Sequence, residues 1–355
     1  MEKKEKSTSF FEFFPTKLMY TPVAIKWLYL SVRHMSLTLP LIANPKLTLA
    51  GMVGVRKSEL LKQATGACEE SILAWENFIV SKQDADKQAL IWLESINSFG
   101  LNFPFVCKPD IGCRGSGVKL IKNINELKQV IDSYPENTSL MIQKLADWKD
   151  EVGIFYVKMP GKMKGQIVSL TFKHSPKVIG DGIHTLKELL QKDNRAKDLL
   201  HLYENRNHKT WNKILAQGRT HYLLFSASHC QGAVFEDARK HITIELTNVI
   251  DSIMQGLPEF YYGRLDVKYK NLEELKNGKN LQIIEINGAS AESIHIWDRN
   301  TSFLDAIKTL LWQYTTLFKL GSYNRKKGYK PPGLLKFYKH WKIEKNLAKY
   351  YPDTD

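Results

Sequence analysis

Two stretches of the chain place apolar residues at helical spacing. The first starts at Thr21-Pro22, because proline suits the first position of a helix. Its apolar stripe consists of Ile25, Leu28, Tyr29 and Val32. The second runs from Ser302 to Leu320, and we expect Gly321 to end it. The first helix could dock on the domain through its stripe, or it could lie on an anionic membrane with Lys26 and Arg33 beside the stripe.

Short apolar stretches between these helices predict strands. We expect them at 103–108, 118–121, 139–143, 154–158, 166–172, 260–269 and 281–286. Pro160-Gly161 is a turn signal that joins two strands as a hairpin, and Asn277-Gly278 separates the last two. Thr185-Leu-Lys-Glu188 has the form of a capping box and predicts a helix start. Strands grouped as hairpins, without a strict βαβ alternation, predict an α+β fold.

Composition narrows the class of protein. Of the 355 residues, 43% are hydrophobic and 25% are charged, as in globular proteins. No apolar run approaches the roughly 20 residues that a membrane-spanning helix needs, and the start of the chain lacks the apolar block of a secretory signal. Four cysteines without a CxxC pair are too sparse for a disulfide framework or a zinc site. We therefore expect a cytoplasmic protein, whose contact with a membrane would be peripheral.

Charge is unevenly distributed around a formal net value of +14. Residues 13–58 include six Lys or Arg and no acidic residue, and residues 321–350 include nine against one acid, Glu344. Such an excess favours polyanionic partners, namely nucleotide phosphates, nucleic acid or an anionic membrane surface. The charge alone does not choose among them.

The first chemical motif is a glycine-rich loop after a predicted strand. Lys108 ends the strand, and the loop Asp110–Gly117 carries three glycines before the next strand. Glycine lets successive backbone N–H groups converge on an anion, and a nearby lysine supplies a mobile charge for phosphate oxygens. The motif is neither a Walker loop nor a dinucleotide-binding GxGxxG, since no GK[ST] and no helix follow. A surface hairpin with convenient glycines is the alternative.

The second motif lies on two later strands. Arg264 and Asp266 are two residues apart, so they point to one side of their strand, and Glu285 and Asn287 do the same on the next. A hairpin would gather two carboxylates, an amide oxygen and a guanidinium. Hard oxygen ligands of this kind suit Mg²⁺ or Mn²⁺, and the arginine would neutralise charge in a transition state. Surface salt bridges are the alternative, although the surrounding strand LQIIEING is otherwise apolar.

In this order and at this separation, the two motifs resemble those of ATP-grasp enzymes, over roughly residues 55–300. The resemblance implies an α+β ATP-grasp fold in which two α+β subdomains clamp ATP. It divides the chain into a basic helical segment (1–54), an N-terminal subdomain (55–145), a C-terminal, metal-binding subdomain (146–320) and a basic tail (321–355). The loop sequence GCRGSG differs from the serine-rich loop of D-alanine–D-alanine ligases.

The resemblance also implies roles for single residues. The residues implied to bind ATP are Lys57, Lys108, Gly112, Arg114, Gly115, Ser116, Gly117, Gln143, Lys144, Leu145 and Glu151. Of these, residues 143–145 would meet adenine and Glu151 the ribose, while the lysines and the loop would hold phosphates. Lys173 would reach the terminal phosphate and Arg264 would act in catalysis. The implied metal ligands are Asp266, Glu285 and Asn287.

The function that follows from the resemblance is that of an ATP-dependent, Mg²⁺-dependent carboxylate–amine ligase with an acylphosphate intermediate. The stretch Gly180–Thr185 (GDGIHT) is similar to the GDGxxT of cyanophycin-synthetase-like ligases, although it could also be a purely structural turn. Alternatives are an ATP-grasp kinase, or a basic membrane- or nucleic-acid-binding protein with a degenerate site, which the intact charged set disfavours. The substrates would be a small carboxylate and an amine. His295 could face the acceptor pocket or be packed, and the cleft must leave room for a triphosphate.

Overall fold

The computed structural model describes residues 15–112, 115–193, 195–226 and 232–355. Helices and strands alternate irregularly along this part of the chain. The helices are α1 (Thr16–Arg33), α2 (Lys57–Leu61), α3 (Ala67–Ser71), α4 (Ala85–Ser98), α5 (Ile124–Ser133), α6 (Leu186–Lys192), α7 (Leu200–Tyr203), α8 (Ile244–Met254), α9 (Leu272–Lys276), α10 (Phe303–Lys326) and α11 (Leu334–Ala348). The strands are β1 (Trp75–Ile79), β2 (Phe105–Pro109), β3 (Lys119–Ile121), β4 (Ser139–Lys144), β5 (Asp150–Val157), β6 (Gln166–His174), β7 (Lys177–Ile179), β8 (Thr220–Tyr222), β9 (Val234–Asp237), β10 (Tyr262–Tyr269) and β11 (Leu281–Asn287).

The strands form two main antiparallel sheets. Sheet one has the order β1-β4-β2-β3, and sheet two has the order β11-β10-β5-β6-β9. The pair β7-β8 forms a small third sheet. The predicted α+β class is confirmed, and the strands predicted from the sequence are present within four residues of their predicted bounds. The pattern missed β1, β7, β8 and β9.

Each main sheet buries one face under helices. Trp92 of α4 and Leu127 of α5 belong to the same buried cluster as Phe105 of sheet one. Ile250 of α8 and Leu265 of β10 share the larger cluster beneath sheet two. Because side chains alternate along a strand, the charged residues of β10 lie on the opposite face of sheet two, away from α8.

The predicted start of the first helix is wrong. Helix α1 begins at Thr16, and Pro22 lies inside it. An interior proline removes one backbone hydrogen bond and crowds the preceding turn. Burial of Met19 and Val23 against the α10 side chains Ala306 and Leu310 offsets that cost.

The docking face expected for this helix is also wrong. The stripe of Ile25, Leu28, Tyr29 and Val32 is exposed, whereas Met19, Val23 and Leu30 are buried. Trp27 makes edge-on ring contacts with Tyr314 and Phe318 of α10. Helix α1 is therefore apolar on two sides, and the side that packs is the one opposite the predicted stripe.

The predicted end of the long helix at Gly321 is wrong. Helix α10 continues to Lys326. A Cβ atom at Gly321 would lie 2.2 Å from the carbonyl oxygen of Leu39, so glycine serves the close approach of a neighbouring segment at this position. No helix among the described residues is long and apolar enough to cross a membrane.

Candidate functional site

The hairpin of β10 and β11 brings the four side chains of the second motif together. Arg264 lies opposite Asn287, and Asp266 lies opposite Glu285. The register shifts after Asp266, so that Val267 pairs with Ile283 and Ile284 is the extra residue of a β-bulge. The bulge leaves Ile284 outside the regular ladder, where its carbonyl is turned toward sheet one.

Asp266 is the centre of a buried charge network. Arg264 donates to both carboxylate oxygens, from Nε at 2.9 Å and from Nη2 at 3.1 Å. The Nζ of Lys173 lies 3.7 Å from the same carboxylate, and Asn287 donates from Nδ2 at 3.3 Å. Burial works to raise the pKa of Asp266, but Arg264 and Lys173 overcome it and hold the pKa below its usual range.

Glu151 of β5 extends this network along the sheet. It pairs with Lys173 of β6 and, at 3.0 Å, with Lys268 of β10. Burial opposes ionisation of Glu151, yet the two lysines hold its pKa below the usual value. The pKa of Lys173 is raised, because Asp266 and Glu151 outweigh the burial that would lower it. The expected ATP ligands Glu151 and Lys173 are thus each other's partners in this structure.

Lys108 connects the two sheets. Its Nζ donates to the Gln143 side-chain oxygen at 2.8 Å and to the Ile284 carbonyl at 2.9 Å. It is 8% exposed, and burial lowers its pKa to about 8 despite the attraction of Glu285 and Asp266. A lysine with this pKa is charged at neutral pH but can lose its proton under mildly basic conditions.

Lys57 lies at the start of the short helix α2, beside the glycine loop (Asp110–Gly117). Its Nζ donates to the carbonyls of Pro109 and Gly112, each at 3.2 Å, and lies 3.7 Å from Glu285. The buried carboxylate of Asp110 accepts from the backbone and hydroxyl of Ser58, at 2.8 and 2.9 Å. Asp110 therefore fixes Lys57 against the loop, a role that sequence reasoning missed.

The glycine loop turns through two residues with left-handed backbone. Gly115 and Gly117 both have φ of 73°. The hydroxyl of Tyr134 donates to the Gly117 carbonyl, and a Cβ atom at Gly117 would lie 2.4 Å from that hydroxyl. Ser116 is half-buried between the two glycines. Arg114, expected to bind phosphate, lies outside the described residues.

The last residues of the chain, 351–355, hold the loop from the other side. Tyr351 donates to the Ile111 carbonyl at 2.6 Å, and Thr354 donates to the Gly115 carbonyl. The Asp355 carboxylate accepts from Lys119 at 2.7 Å and from the Leu120 backbone at 2.9 Å. These contacts span more than 230 residues of sequence, and no local pattern in the tail signals them.

The residues expected to meet adenine lie at the end of β4. Gln143 is buried, with its amide between Lys108 and the Leu73 carbonyl at 3.4 Å. Lys144 is exposed and pairs with Asp147 at 3.1 Å. Leu145 follows the strand and is half-buried. In this structure the Gln143 side chain is engaged with protein groups, so its contact with adenine stays a prediction.

The donor set of Asp266, Glu285 and Asn287 fits Mg²⁺ in chemistry, because two carboxylates and an amide supply hard oxygens. Each carboxylate is paired with a cation, Asp266 with Arg264 and Glu285 with Lys57. In the described part of the chain, no cluster of three or more His, Cys, Asp or Glu could hold a metal ion. An ion here would therefore depend on the amide and on displacement of the present ion pairs.

The space between the two sheets is small. The gap between Lys57, Lys108 and Glu285 has no room for a water-sized sphere. Ligand pockets usually measure about 300–1,000 Å³. The room for a triphosphate that the sequence interpretation requires is thus missing in this closed arrangement.

The GDGIHT stretch and His295 contact protein groups that stabilise the local fold. Asp181 of the GDGIHT stretch accepts from the backbone of Ile183 and His184, and Thr185 with Glu188 forms the predicted capping box. His295 is packed, with Nδ1 2.7 Å from the Ser169 hydroxyl. Burial lowers its pKa to about 4, so it stays neutral at neutral pH.

No protein-family model and no curated protein matches this chain. Among solved structures, a bifunctional glutathione synthetase from Pasteurella multocida is 14% identical over 72% of this chain and 36% of its own, with a TM-score of 0.37. The D-Ala:D-Ser ligase VanG from Enterococcus faecalis is 12% identical over 74% and 62%, at 0.39. The D-alanine–D-alanine ligase from Bacillus anthracis is 14% identical over 77% and 68%, at 0.41. The chain spans between 36% and 68% of the length of these three proteins.

Proposed function

We propose that this protein is an ATP-dependent carboxylate–amine ligase that forms an amide through an acylphosphate. The observation that carries the proposal is the meeting of three basic side chains, one from sheet one and two from sheet two, beside the β10–β11 strand pair. Lys108 of sheet one contacts the Ile284 carbonyl, while Arg264 and Lys173 of sheet two surround Asp266. Buried cations held by partners on rigid strands are suited to bind a transferring phosphoryl group.

The reaction has two steps. The γ-phosphoryl group passes to a carboxylate oxygen of the substrate, its bond to the β,γ-bridging oxygen breaks, and ADP leaves. An amine then attacks the acyl carbon, the bond from that carbon to the phosphate oxygen breaks, and the amine loses a proton. Lys57, Lys108 and Lys173 would hold phosphate oxygens, and Arg264 would stabilise the negative charge on the acyl oxygen. Positioning and charge neutralisation supply most of such a rate enhancement.

Asp266, Glu285 and Asn287 would hold the divalent cation. When bound, Mg²⁺ would neutralise charge on the phosphate oxygens. The likeness of Gly180–Thr185 to the GDGxxT of cyanophycin-synthetase-like ligases supports an amide product. For this chain, the metal and the amide product are both parts of the proposal.

ATP binding requires the two sheets to separate. The contacts that must open are those from Lys108 to Ile284, at 2.9 Å, and from Lys57 to Glu285, at 3.7 Å. Both are polar contacts to groups that phosphate oxygens could replace, since each lysine would exchange one oxygen partner for another. The phosphates of the nucleotide would then occupy the positions where the Ile284 carbonyl and the Glu285 carboxylate now contact the two lysines.

The test is a screen for ADP release with ATP, Mg²⁺ and pairs of amino acids or small carboxylates, followed by mass measurement of the product. We expect ADP and phosphate in equal amounts, with an amide product that lacks one water relative to its precursors. A phosphorylated alcohol without free phosphate would support a kinase instead. Absence of ATP binding by calorimetry, at concentrations well above the usual KM range, would refute both enzymes.

A further inference from the structure

Helix α1 presents an apolar face to solvent. The outer face of α1 consists of Leu18, Ile25, Leu28, Tyr29 and Val32, each more than half exposed. Val32 reaches 80% and Ile25 reaches 64%. Met35 just beyond the helix is 87% exposed. These side chains form one stripe along four turns of the helix, because they recur at three- and four-residue spacing.

Packing among the residues that the structure describes does not explain this face. The inner face of α1 already docks on α10 through Met19, Val23 and Trp27. A second apolar side of a helix is normally buried as well. A contiguous exposed apolar stripe on a folded protein marks an interaction surface.

The charges beside the stripe indicate the chemistry of the partner. Lys26 and Arg33 flank the outer face, and the Nζ of Lys26 lies 5.3 Å from the centre of the Tyr29 ring. Residues 13–58 include no acidic side chain. A second copy packed on this face by two-fold symmetry would bring the same cations close to one another, which is unfavourable.

Helix α11 has the same character. Leu334, Tyr338 and Trp341 are exposed, and the Nζ of Lys345 lies 4.8 Å from the centre of the Trp341 ring. Helices α1 and α11 both pack on the segment 39–53, the first beside Leu39 and Ile42 and the second through Phe337 against Leu41, Leu49 and Val53. Aromatic and aliphatic residues interleaved with lysines are typical of helices that lie in a membrane interface.

We propose that the outer face of α1 docks on an anionic lipid bilayer, with α11 as a second contact. The apolar side chains enter the interface between headgroups and acyl chains, while Lys26 and Arg33 meet anionic headgroups. Binding of this kind is peripheral and reversible, and it does not depend on the activity of the cleft.

Helix α1 is also linked to the candidate site by hydrogen bonds. The hydroxyl of Tyr20 on α1 donates to the carboxylate of Glu292, whose backbone carbonyl accepts from Arg264 at 3.3 Å. We infer that the site takes a substrate anchored in the same membrane. That consequence rests on the proposed function, whereas the docking itself does not.

The test is sedimentation of the full chain with vesicles of phosphatidylcholine, with and without phosphatidylglycerol. Leu28→Glu/Val32→Glu is compared with Leu90→Glu/Ile91→Glu on α4, where the exposure is also high, at 59% and 57%. We expect binding only to the anionic vesicles, and a loss of at least about tenfold in the α1 variant alone. Lys26→Gln/Arg33→Gln should lower binding by on the order of 10–30-fold, with less effect at high salt.

Equal loss in the α1 and α4 variants, or binding that ignores phosphatidylglycerol, would overturn the proposal. The proposal would also be overturned if the wild type did not bind vesicles but formed a dimer, and the α1 variant were monomeric. All four positions changed to glutamate are exposed, so melting curves should stay within a few degrees of wild type. ADP release measured without lipid separates the two hypotheses, since lipid binding by a protein inactive toward ATP would leave only the docking proposal standing.

Discussion

The two sides of the cleft are built in different ways. On the sheet-two side, Arg264 is paired with Asp266 on the same strand, and Lys173 is paired with Glu151 on the adjacent strand. On the sheet-one side, the glycine loop is held from outside by Tyr134, Tyr351 and Thr354. The hydrogen bonds of sheet two position the strand side, whereas side chains from outside the loop position the glycine loop.

This difference has a consequence for how substitutions act. A substitution on the strand side removes a charge from a position that the sheet keeps fixed. We therefore expect it to lower kcat more than it lowers the affinity for ATP. A change on the loop side loosens a segment whose shape depends on a few tertiary contacts, so nucleotide affinity should suffer first. Substitutions on each side of the cleft test this division.

Arg264→Ala should lower turnover by on the order of 10²–10³, because a preorganised charge is lost from the site. Arg239→Ala is a matched control, since Arg239 also forms a fork with an aspartate on sheet two, Asp237, but at an exposed position. Steady-state kinetics with ATP, together with melting curves, would measure both variants. Equal activity of the two variants would remove Arg264 from the catalytic role.

Lys108 should make ATP binding depend on pH. Its pKa of about 8 means that it carries a charge below that pH and loses it above, so kcat/KM for ATP should fall up to about tenfold per unit above pH 8. Lys108→Met should differ most from wild type near pH 7 and should converge with it at high pH. Lys87→Met on the surface of α4 should retain the wild-type profile.

The same titration has the opposite effect on stability. The pKa of Lys108 is lowered from 10.5 to about 8 in the folded state, so between these values the unfolded chain binds more protons. This group therefore makes the fold more stable as pH rises through that window. A loss of activity above pH 8 without a fall in melting temperature would match the prediction, whereas parallel losses would contradict it.

Gly117→Ala should raise the KM for ATP by on the order of tenfold, because a side chain at positive φ is strained and its Cβ would meet the Tyr134 hydroxyl. Gly161→Ala controls for backbone strain, since Gly161 also has positive φ but has open space around it. Adding Tyr134→Phe to Gly117→Ala should recover part of the affinity. A larger effect on kcat than on KM would contradict the expectation that changes in the loop act first on nucleotide affinity.

Asp355→Asn should raise the KM for ATP by a few-fold, the smallest effect in this series. The carboxylate holds β3 through Lys119 and the Leu120 backbone, at the far end of the glycine loop. A neutral amide can keep one of these contacts but loses the ion pair. Asp353→Asn, at an exposed neighbour, should leave the KM unchanged. Calorimetric titration with ATP would compare them, and identical affinities would show that the terminal segment does not support the loop.

The strand side of the site could be predicted from local sequence. Alternation places Arg264 with Asp266 and Glu285 with Asn287, and a hairpin has few ways to pair them. The bulge at Ile284 could not be predicted, because it depends on where the register slips. The closed cleft could not be predicted either, since the contact from Lys108 to Ile284 joins two separate sheets.

The sequence by itself determined the α+β class, the strands of the two main sheets except β1 and β9, and the charged residues of β10 and β11. All of these depend on periodicity and short-range spacing, which a chain carries locally. Tertiary structure decided which face of α1 is buried, why Gly321 is a glycine inside a helix, and what holds the glycine loop. Those outcomes depend on which surfaces meet across hundreds of residues, and local spacing cannot encode the identity of a distant neighbour.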